Sequence, residues 1–180
     1  GNYIGTDYRG FGPLGNQRDG IYFSLVAQRN VVGPNNIIAY NGGNGVGVAT
    51  PNTTRNTIIL NSIFGNGGLG INLSNGANQE IAAPTITGTT FGSIRIAVTA
   101  CAGCAVHVYS SRLPDGEGQI FLGGGVADGA GNYVLEVSAI PYAYLTATAT
   151  TPQGSTSEFS PVFVSTAFLY YLPLLLRCLL

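Results

Sequence analysis

Three stretches of the chain repeat one another: NQRDGIYF at 16–23, NGGNGVGV at 41–48 and NGGLGINL at 66–73. In each stretch asparagine comes first, glycine follows four positions later, and an apolar residue occupies the next position and the one two further on. The stretches begin 25 residues apart. Several features that recur at one period are typical of a solenoid, in which each repeat forms one coil.

A second motif, Asn-x-Ile, keeps the same interval at 36–38 and 61–63. Apolar residues at alternate positions would point into the coil, and glycine permits turns with positive φ. Asn16, Asn41 and Asn66 would stack, with each amide hydrogen-bonded to the asparagine one coil away, at ~4.8 Å. The pattern predicts an all-β chain that begins with a short right-handed parallel β-helix of about three coils over residues 1–80. An ordinary sandwich with Asn-Gly hairpins is the alternative.

After residue 78 the pattern changes to alternation of apolar and polar residues, as in Ile94, Ile96 and Val98. Turn sequences such as LPDGEG and ADGAGN separate about seven such segments. This spacing predicts an antiparallel, immunoglobulin-like β-sandwich over residues 84–164. An extended apolar tail over 165–180 would follow it.

The composition excludes several functional classes. Charged residues make up 8% of the chain and the net charge is −1, so no basic surface is expected to bind nucleic acid or an anionic membrane. The sequence contains no methionine, so we expect Gly1 to follow a cleavage and the chain to derive from a larger precursor. The low charge and the richness in Thr, Ser and Gly favour an extracellular or cell-surface location.

Cys101 and Cys104 lie in the short segment CAGC. Their spacing fits a disulfide that closes a small loop, which is the interpretation we prefer. Free buried thiols are the alternative, and a zinc site would need a second pair of ligands. The sequon at Asn52, in the loop TPNTTRN, is a candidate for glycosylation.

The chain offers little for catalysis. A β-helix glycosidase needs carboxylates clustered on one face, but the predicted helix contains only Asp7 and Asp19. The single histidine, His107, is expected to point outward from its strand into solvent. We therefore expect no enzymatic activity, no catalytic residue, no cofactor and no metal site.

Two stretches, GNYIGTDYRGFGPLGN and NSIFGNGGLGINL, resemble the closing coils of secreted bacterial right-handed β-helix proteins of the pectin-lyase-like superfold. The segment from CAGCAVHVYSS to YLTATATTPQGSTSEFSP resembles the immunoglobulin-like domain that often follows such a helix, and YLPLLLR is similar to C-terminal tails of some of these surface proteins. The resemblance implies an adhesin-like or structural surface protein. Because the superfold also contains polysaccharide lyases and hydrolases, the fold alone does not decide the activity.

The last thirteen residues, FLYYLPLLLRCLL at 168–180, are almost entirely apolar. They are too few for a transmembrane helix, which needs ~20 residues, and Pro173 interrupts them. Such a segment must be buried against something. The residues that we expect to contact another subunit are Phe168, Leu169, Tyr170, Tyr171, Leu172, Leu174, Leu175, Leu176, Leu179 and Leu180. Cys178 would lie among them and could form an intermolecular disulfide.

A short solenoid also has two ends with unpaired backbone groups, and no capping helix is visible in the sequence. Together with the apolar tail, these ends predict head-to-tail association into a filament or surface layer, with copies of the chain as partners. The expected function is that of a non-catalytic extracellular structural subunit. The alternative is a carbohydrate-binding or adhesive module of a cell-surface protein anchored by its tail, with glycans as partners. Neither interpretation includes a nucleic-acid partner or a transmembrane span.

Overall fold

The computed structural model describes residues 1–90 and 94–166. Within them it contains fifteen strands, no α-helix and one short 3-10 helix at Ala77–Glu80. The prediction of an all-β chain is confirmed. The tail residues 168–180, with all their predicted subunit contacts and Cys178, lie outside the described residues.

The first eight strands form three parallel sheets, which together we call the parallel stack. The chain visits the sheets in rotation, so that the first sheet has the order β1-β4-β7, the second β2-β5-β8 and the third β3-β6. The bounds are β1 Tyr3–Ile4, β2 Ile21–Phe23, β3 Val31–Val32, β4 Ile37–Ala39, β5 Val46–Ala49, β6 Thr57–Ile58, β7 Ser62–Phe64 and β8 Ile71–Ser74.

The register of these sheets follows the repeat in the sequence. In the first sheet Ile38 pairs with Ile63, and in the second Val46 pairs with Ile71, each over a separation of 25 residues. The third sheet pairs Val32 with a residue 26 positions later. Because equivalent apolar residues stack from strand to strand, their side chains form one hydrophobic core between the three sheets.

The remaining seven strands, which we call the antiparallel region, form two sheets of order β13-β10-β9 and β12-β11-β14-β15. Their bounds are β9 Thr85–Thr90, β10 Ile94–Thr99, β11 Ala105–Ser111, β12 Ile120–Val126, β13 Asn132–Val137, β14 Tyr144–Thr150 and β15 Phe163–Val164. The predicted change from parallel to antiparallel pairing is therefore present. Both sheets contribute to a second hydrophobic core.

Alternation decides which side chains enter this second core. Ile94, Ile96 and Val98 are buried, whereas Arg95 between them is exposed and pairs with Glu136 at 3.1 Å. Strand β14 departs from this pattern, because Leu145, Ala147 and Ala149 are buried together with the intervening Thr146, Thr148 and Thr150. A strand buried on both faces has a second layer against its outer face. Here that layer includes chain segments that contact the parallel stack.

Candidate functional site

Asparagine side chains run through the parallel stack as hydrogen-bonded ladders. The structure brings together Asn16, Asn41 and Asn66, the three residues at the 25-residue interval. The backbone N–H and the side-chain Nδ2 of Asn16 both donate to Oδ1 of Asn41, at 3.2 and 2.9 Å. Asn41 donates in the same way to Oδ1 of Asn66, at 3.1 and 2.9 Å. Each rung therefore donates toward the C-terminal side and accepts from the N-terminal side.

Two further ladders were not predicted from the sequence. One contains Asn2, Asn36 and Asn61, and the other contains Asn30, Asn56 and Asn78. The repeated Asn-x-Ile motif was a signal for the first of these. The second has separations of 26 and 22 residues, so a search at a period of 25 does not detect it.

The residue before a ladder asparagine adopts a left-handed backbone at six positions. These residues are Arg29, Asn35, Tyr40, Arg55, Leu60 and Gly65, with φ between 56° and 66°. A left-handed residue turns the chain sharply out of one sheet toward the next. The backbone N–H of the asparagine that follows lies at this turn. The side chain of the next rung accepts a hydrogen bond from it.

Because each asparagine of this ladder donates to the next one, the last asparagine needs an acceptor from outside the ladder. Asn66 has no further asparagine to receive its backbone N–H and its side-chain Nδ2. The carboxylate of Glu117, from the antiparallel region, accepts both: Oε2 from the backbone N–H at 3.1 Å and Oε1 from Nδ2 at 2.8 Å. A carboxylate is acceptor-only, so it matches an end that presents only donors.

Glu117 is completely buried between the two regions. Its backbone carbonyl accepts hydrogen bonds from the hydroxyls of Ser111 and Thr146, at 2.7 and 2.9 Å, which fix the loop that carries it. Burial raises the pKa of the Glu117 carboxyl to about 7, while the hydrogen bonds from Asn66 act in the opposite direction and the negative charge of Asp115 adds to the increase.

The antiparallel region also supplies acceptors to the last strand of every parallel sheet. The backbone N–H of Ile63 donates to the carbonyl of Gly118 at 2.9 Å, and that of Ile58 donates to Oγ1 of Thr156 at 2.9 Å. The N–H of Leu73 donates to Oε1 of Glu158 at 2.8 Å. We call the edge formed by β6, β7 and β8 the C-terminal end of the stack. The expectation that both ends lack a cap is wrong for this end, because the antiparallel region covers it.

The opposite edge, formed by β1, β2 and β3, is the N-terminal end of the stack. Each of these strands pairs on one side only within the part of the chain that the structure describes. Tyr3, Tyr22 and Val31 lie on these strands and are more than half exposed. This end therefore combines unpaired strand edges with exposed apolar side chains.

The two carboxylates of the parallel stack serve as hydrogen-bond acceptors, Asp7 within a turn and Asp19 across the stack. Asp7 accepts from the backbone N–H groups of Arg9 and Phe11, both at 3.1 Å. Hydrogen bonding to the backbone of Gly12, and to a smaller extent to these two residues, lowers the pKa of its carboxyl. Asp19 accepts from the backbone and side-chain amides of Asn44 at 2.7 and 3.1 Å. Within residues 1–90 and 94–166, no group of three or more His, Cys, Asp or Glu side chains is arranged to hold a metal ion.

His107 differs from its expected environment. It lies between the buried Val106 and Val108, as predicted, but its ring is half buried and packs 5.8 Å from the ring of Phe121. The expectation that His107 points outward into solvent is wrong in part, because an aromatic side chain of the neighbouring strand covers part of the ring. Burial lowers the pKa of its imidazole.

Cys101 and Cys104 are joined by a disulfide in the structure. Asn52 is exposed in the turn that follows β5, where its carbonyl accepts from the side-chain amide of Gln28 at 2.8 Å. Its glycosylation stays a prediction. No helix in the described part of the chain is long and apolar enough to cross a membrane.

Comparisons with known proteins give no assignment: no protein-family model matches the chain, and no curated protein matches it.

Proposed function

We propose that the chain is a non-catalytic structural module of an extracellular protein, in which an immunoglobulin-like β-sandwich closes one end of a short right-handed parallel β-helix. The rotation of the chain through three parallel sheets supports the β-helix. Its right-handed sense follows from the strong preference of parallel crossover connections for that hand. The two antiparallel sheets with one shared core support the sandwich.

The observation that carries this proposal is the covered C-terminal end of the stack. A parallel β-helix without a cap exposes strand edges that can pair with other chains. Here Glu117 accepts hydrogen bonds from the last asparagine of a ladder. Backbone amides of the last strands donate to Gly118, Thr156 and Glu158. The loops of the sandwich place hydrogen-bond acceptors opposite the donors of the last coil. Such a sandwich is suited to terminate a β-helix.

The engaged carboxylates support a non-catalytic role. Asp19, Glu117 and Glu158 each accept hydrogen bonds from backbone amides of the stack, so these side chains stabilise the fold where a glycosidase would use free carboxyl groups. The disulfide between Cys101 and Cys104 is consistent with an oxidising, extracellular compartment. The resemblance to secreted bacterial surface proteins points in the same direction.

Head-to-tail assembly into a filament or surface layer is part of the proposal. The C-terminal end of the stack is covered, so the surface for a neighbouring copy is the N-terminal end, where Tyr3, Tyr22 and Val31 are exposed. The tail 168–180 of one copy would add a strand to this edge on the next copy. Such a contact joins two different surfaces and therefore propagates into an open polymer.

Negative-stain electron microscopy and size-exclusion chromatography of two proteins test this assembly. We expect filaments from the full chain and monomers from a chain that ends at residue 167. Monomers from both proteins would contradict self-assembly, and filaments from both would contradict the role of the tail. Because the truncation keeps all fifteen strands, its far-UV circular dichroism should match that of the full chain.

A carbohydrate-binding module is the second candidate. A surface cleft of about 450 Å³ on the parallel stack is lined by Gln17, Arg18, Asp19, Tyr22 and Gly43. An exposed tyrosine beside amide, guanidinium and carboxylate groups suits a sugar ring. Glycan-array binding that survives truncation at residue 167 and is lost in Y22A would favour this function, whereas an array without signal would contradict it.

A further inference from the structure

Arg29 and Arg55 occupy equivalent corners of successive coils. Each directly precedes a ladder asparagine, and Nδ2 of Asn30 donates to Oδ1 of Asn56 at 2.8 Å. Both arginines adopt a left-handed backbone, with φ of 58° and 60°. Their backbones are therefore one strand spacing apart, ~4.8 Å, and share the same local conformation, so their side chains extend from equivalent positions of the stack.

Both arginines line one open pocket of about 410 Å³, at the junction with the antiparallel region. Thr57, Gln153 and Gly154 complete its walls. Two hydrogen bonds fix this junction: Oγ1 of Thr57 donates to the carbonyl of Gly154 at 2.7 Å, and the backbone N–H of Arg55 donates to Oγ of Ser155 at 3.1 Å. The pocket thus has a defined wall beside two exposed guanidinium groups.

No carboxylate lines this pocket within the part of the chain that the structure describes. The other arginines in that part have acidic or aromatic neighbours: Arg95 pairs with Glu136, Arg18 shares a cleft with Asp19, Arg112 shares one with Asp115, and Arg9 lies over the ring of Tyr8. Two cations held at neighbouring corners repel one another. An anion bound between them would remove that repulsion.

We propose that Arg29 and Arg55 form a binding site for a doubly charged tetrahedral oxyanion of the phosphate-monoester class. Two guanidinium groups match the charge of such an anion, and their planar arrays of N–H donors match its oxygen atoms. The side-chain amide of Gln153, on the wall of the same pocket, adds a neutral donor. Because the pocket is open to solvent, a group esterified to the phosphate can extend outward.

Isothermal titration calorimetry of the full chain, which works on monomers and on filaments, tests the site, with sodium phosphate and glucose 6-phosphate as probes at constant ionic strength and pH 7.5. We expect saturable heats of binding with one site per chain. R29Q and R55Q should each weaken binding about tenfold or more, because each removes one charge-assisted hydrogen-bonding group. R95Q, at the exposed pair with Glu136, is the matched control and should leave the affinity unchanged.

The two probes separate the sources of the ligand. Similar affinities for phosphate and glucose 6-phosphate would show that the phosphate group itself is recognised. Tighter binding of glucose 6-phosphate would identify a phosphorylated polymer or metabolite as the ligand. Both results support the site. The absence of saturable binding by either probe would overturn the proposal, as would equal weakening in R95Q or unchanged affinity in R29Q and R55Q. Without phosphate, R29Q and R55Q should unfold at or above the wild-type midpoint, which separates lost binding from lost folding.

Discussion

Glu117 accepts both the backbone N–H and the side-chain amide of Asn66, and so ends a hydrogen-bonded ladder that begins 101 positions earlier at Asn16. Every bond in the ladder runs in one direction. The last asparagine, Asn66, therefore has no further asparagine to accept from its backbone N–H and its Nδ2. One acidic side chain from the antiparallel region meets that requirement and at the same time ties the two regions together.

Replacing Glu117 by alanine should destabilise the fold strongly. The change removes the acceptor of the half-buried backbone N–H of Asn66 and one of the acceptors near its Nδ2, which keeps the carbonyl of Ile38 at 3.1 Å; the expected loss in the free energy of unfolding is about 3 kcal/mol. Urea unfolding at pH 6 measures it. E136A is the matched control, because its pair with Arg95 is exposed and should contribute less than about 1 kcal/mol. Equal, small losses in both variants would show that the Glu117 contact does not form.

Stability should depend on pH through the same carboxyl group. Its pKa is raised from 4.5 to about 7, so the folded state binds the proton more tightly than the unfolded state. The resulting stabilisation is fully present below pH 4.5, decreases as the pH rises, and is lost above about pH 7. A shift of this size corresponds to about 3 kcal/mol.

The comparison with E117Q isolates this contribution, because the variant keeps an acceptor oxygen and does not titrate. The difference in unfolding free energy, wild type minus E117Q, should fall between pH 5 and pH 7.5. A difference that rises with pH would show that hydrogen bonding to the carboxylate outweighs burial, which is opposite to our prediction.

Alanine at the middle rung of the ladder should cost far more than alanine at its first rung. Asn41 is buried and receives two hydrogen bonds from Asn16 while donating two to Asn66. We expect N41A to lose about 3 kcal/mol of unfolding free energy and N16A, at an exposed position, about 1 kcal/mol. Chemical denaturation of both variants measures the difference. Similar losses would mean that the ladder contributes little in the interior.

The disulfide between Cys101 and Cys104 should contribute modestly to stability. It closes a loop of only four residues, for which the loss of chain entropy in the unfolded state corresponds to about 2 kcal/mol. Unfolding of C178S with and without dithiothreitol measures this value, since that variant retains only the two paired cysteines. If the reductant leaves the midpoint unchanged, the disulfide does not stabilise the fold.

The 25-residue period of the parallel stack could be predicted from the sequence, because stacking of strands repeats the same environment at the same interval. Asn16, Asn41 and Asn66 show it directly, as do the apolar residues that pair between strands, such as Val46 and Ile71. The ladder through Asn56 was not accessible in this way, because its corners are separated by unequal numbers of residues. A hydrogen bond between coils depends on position in space, and the chain can reach the same corner with one residue more or fewer.

The cap could not be predicted from local patterns. Glu117 is 51 positions from Asn66, in a segment whose residues are typical of a turn. Thr146 and Thr150 alternate with apolar residues, which predicts solvent exposure, yet both are buried at contacts on the outer face of β14. Docking of two regions decides these environments, and periodicity within one strand carries no information about docking.

Hydrogen exchange at the C-terminal end of the stack tests the central claim that the antiparallel region closes it. The amides of Ile58, Ile63 and Leu73 donate only to that region in the structure, whereas the amide of Val46 lies inside the stack and donates to the carbonyl of Gly70 at 2.9 Å. Our account predicts that all four amides exchange at similarly slow rates. Exchange of Ile58, Ile63 and Leu73 near the rate of unprotected amides, with Val46 still protected, would contradict it.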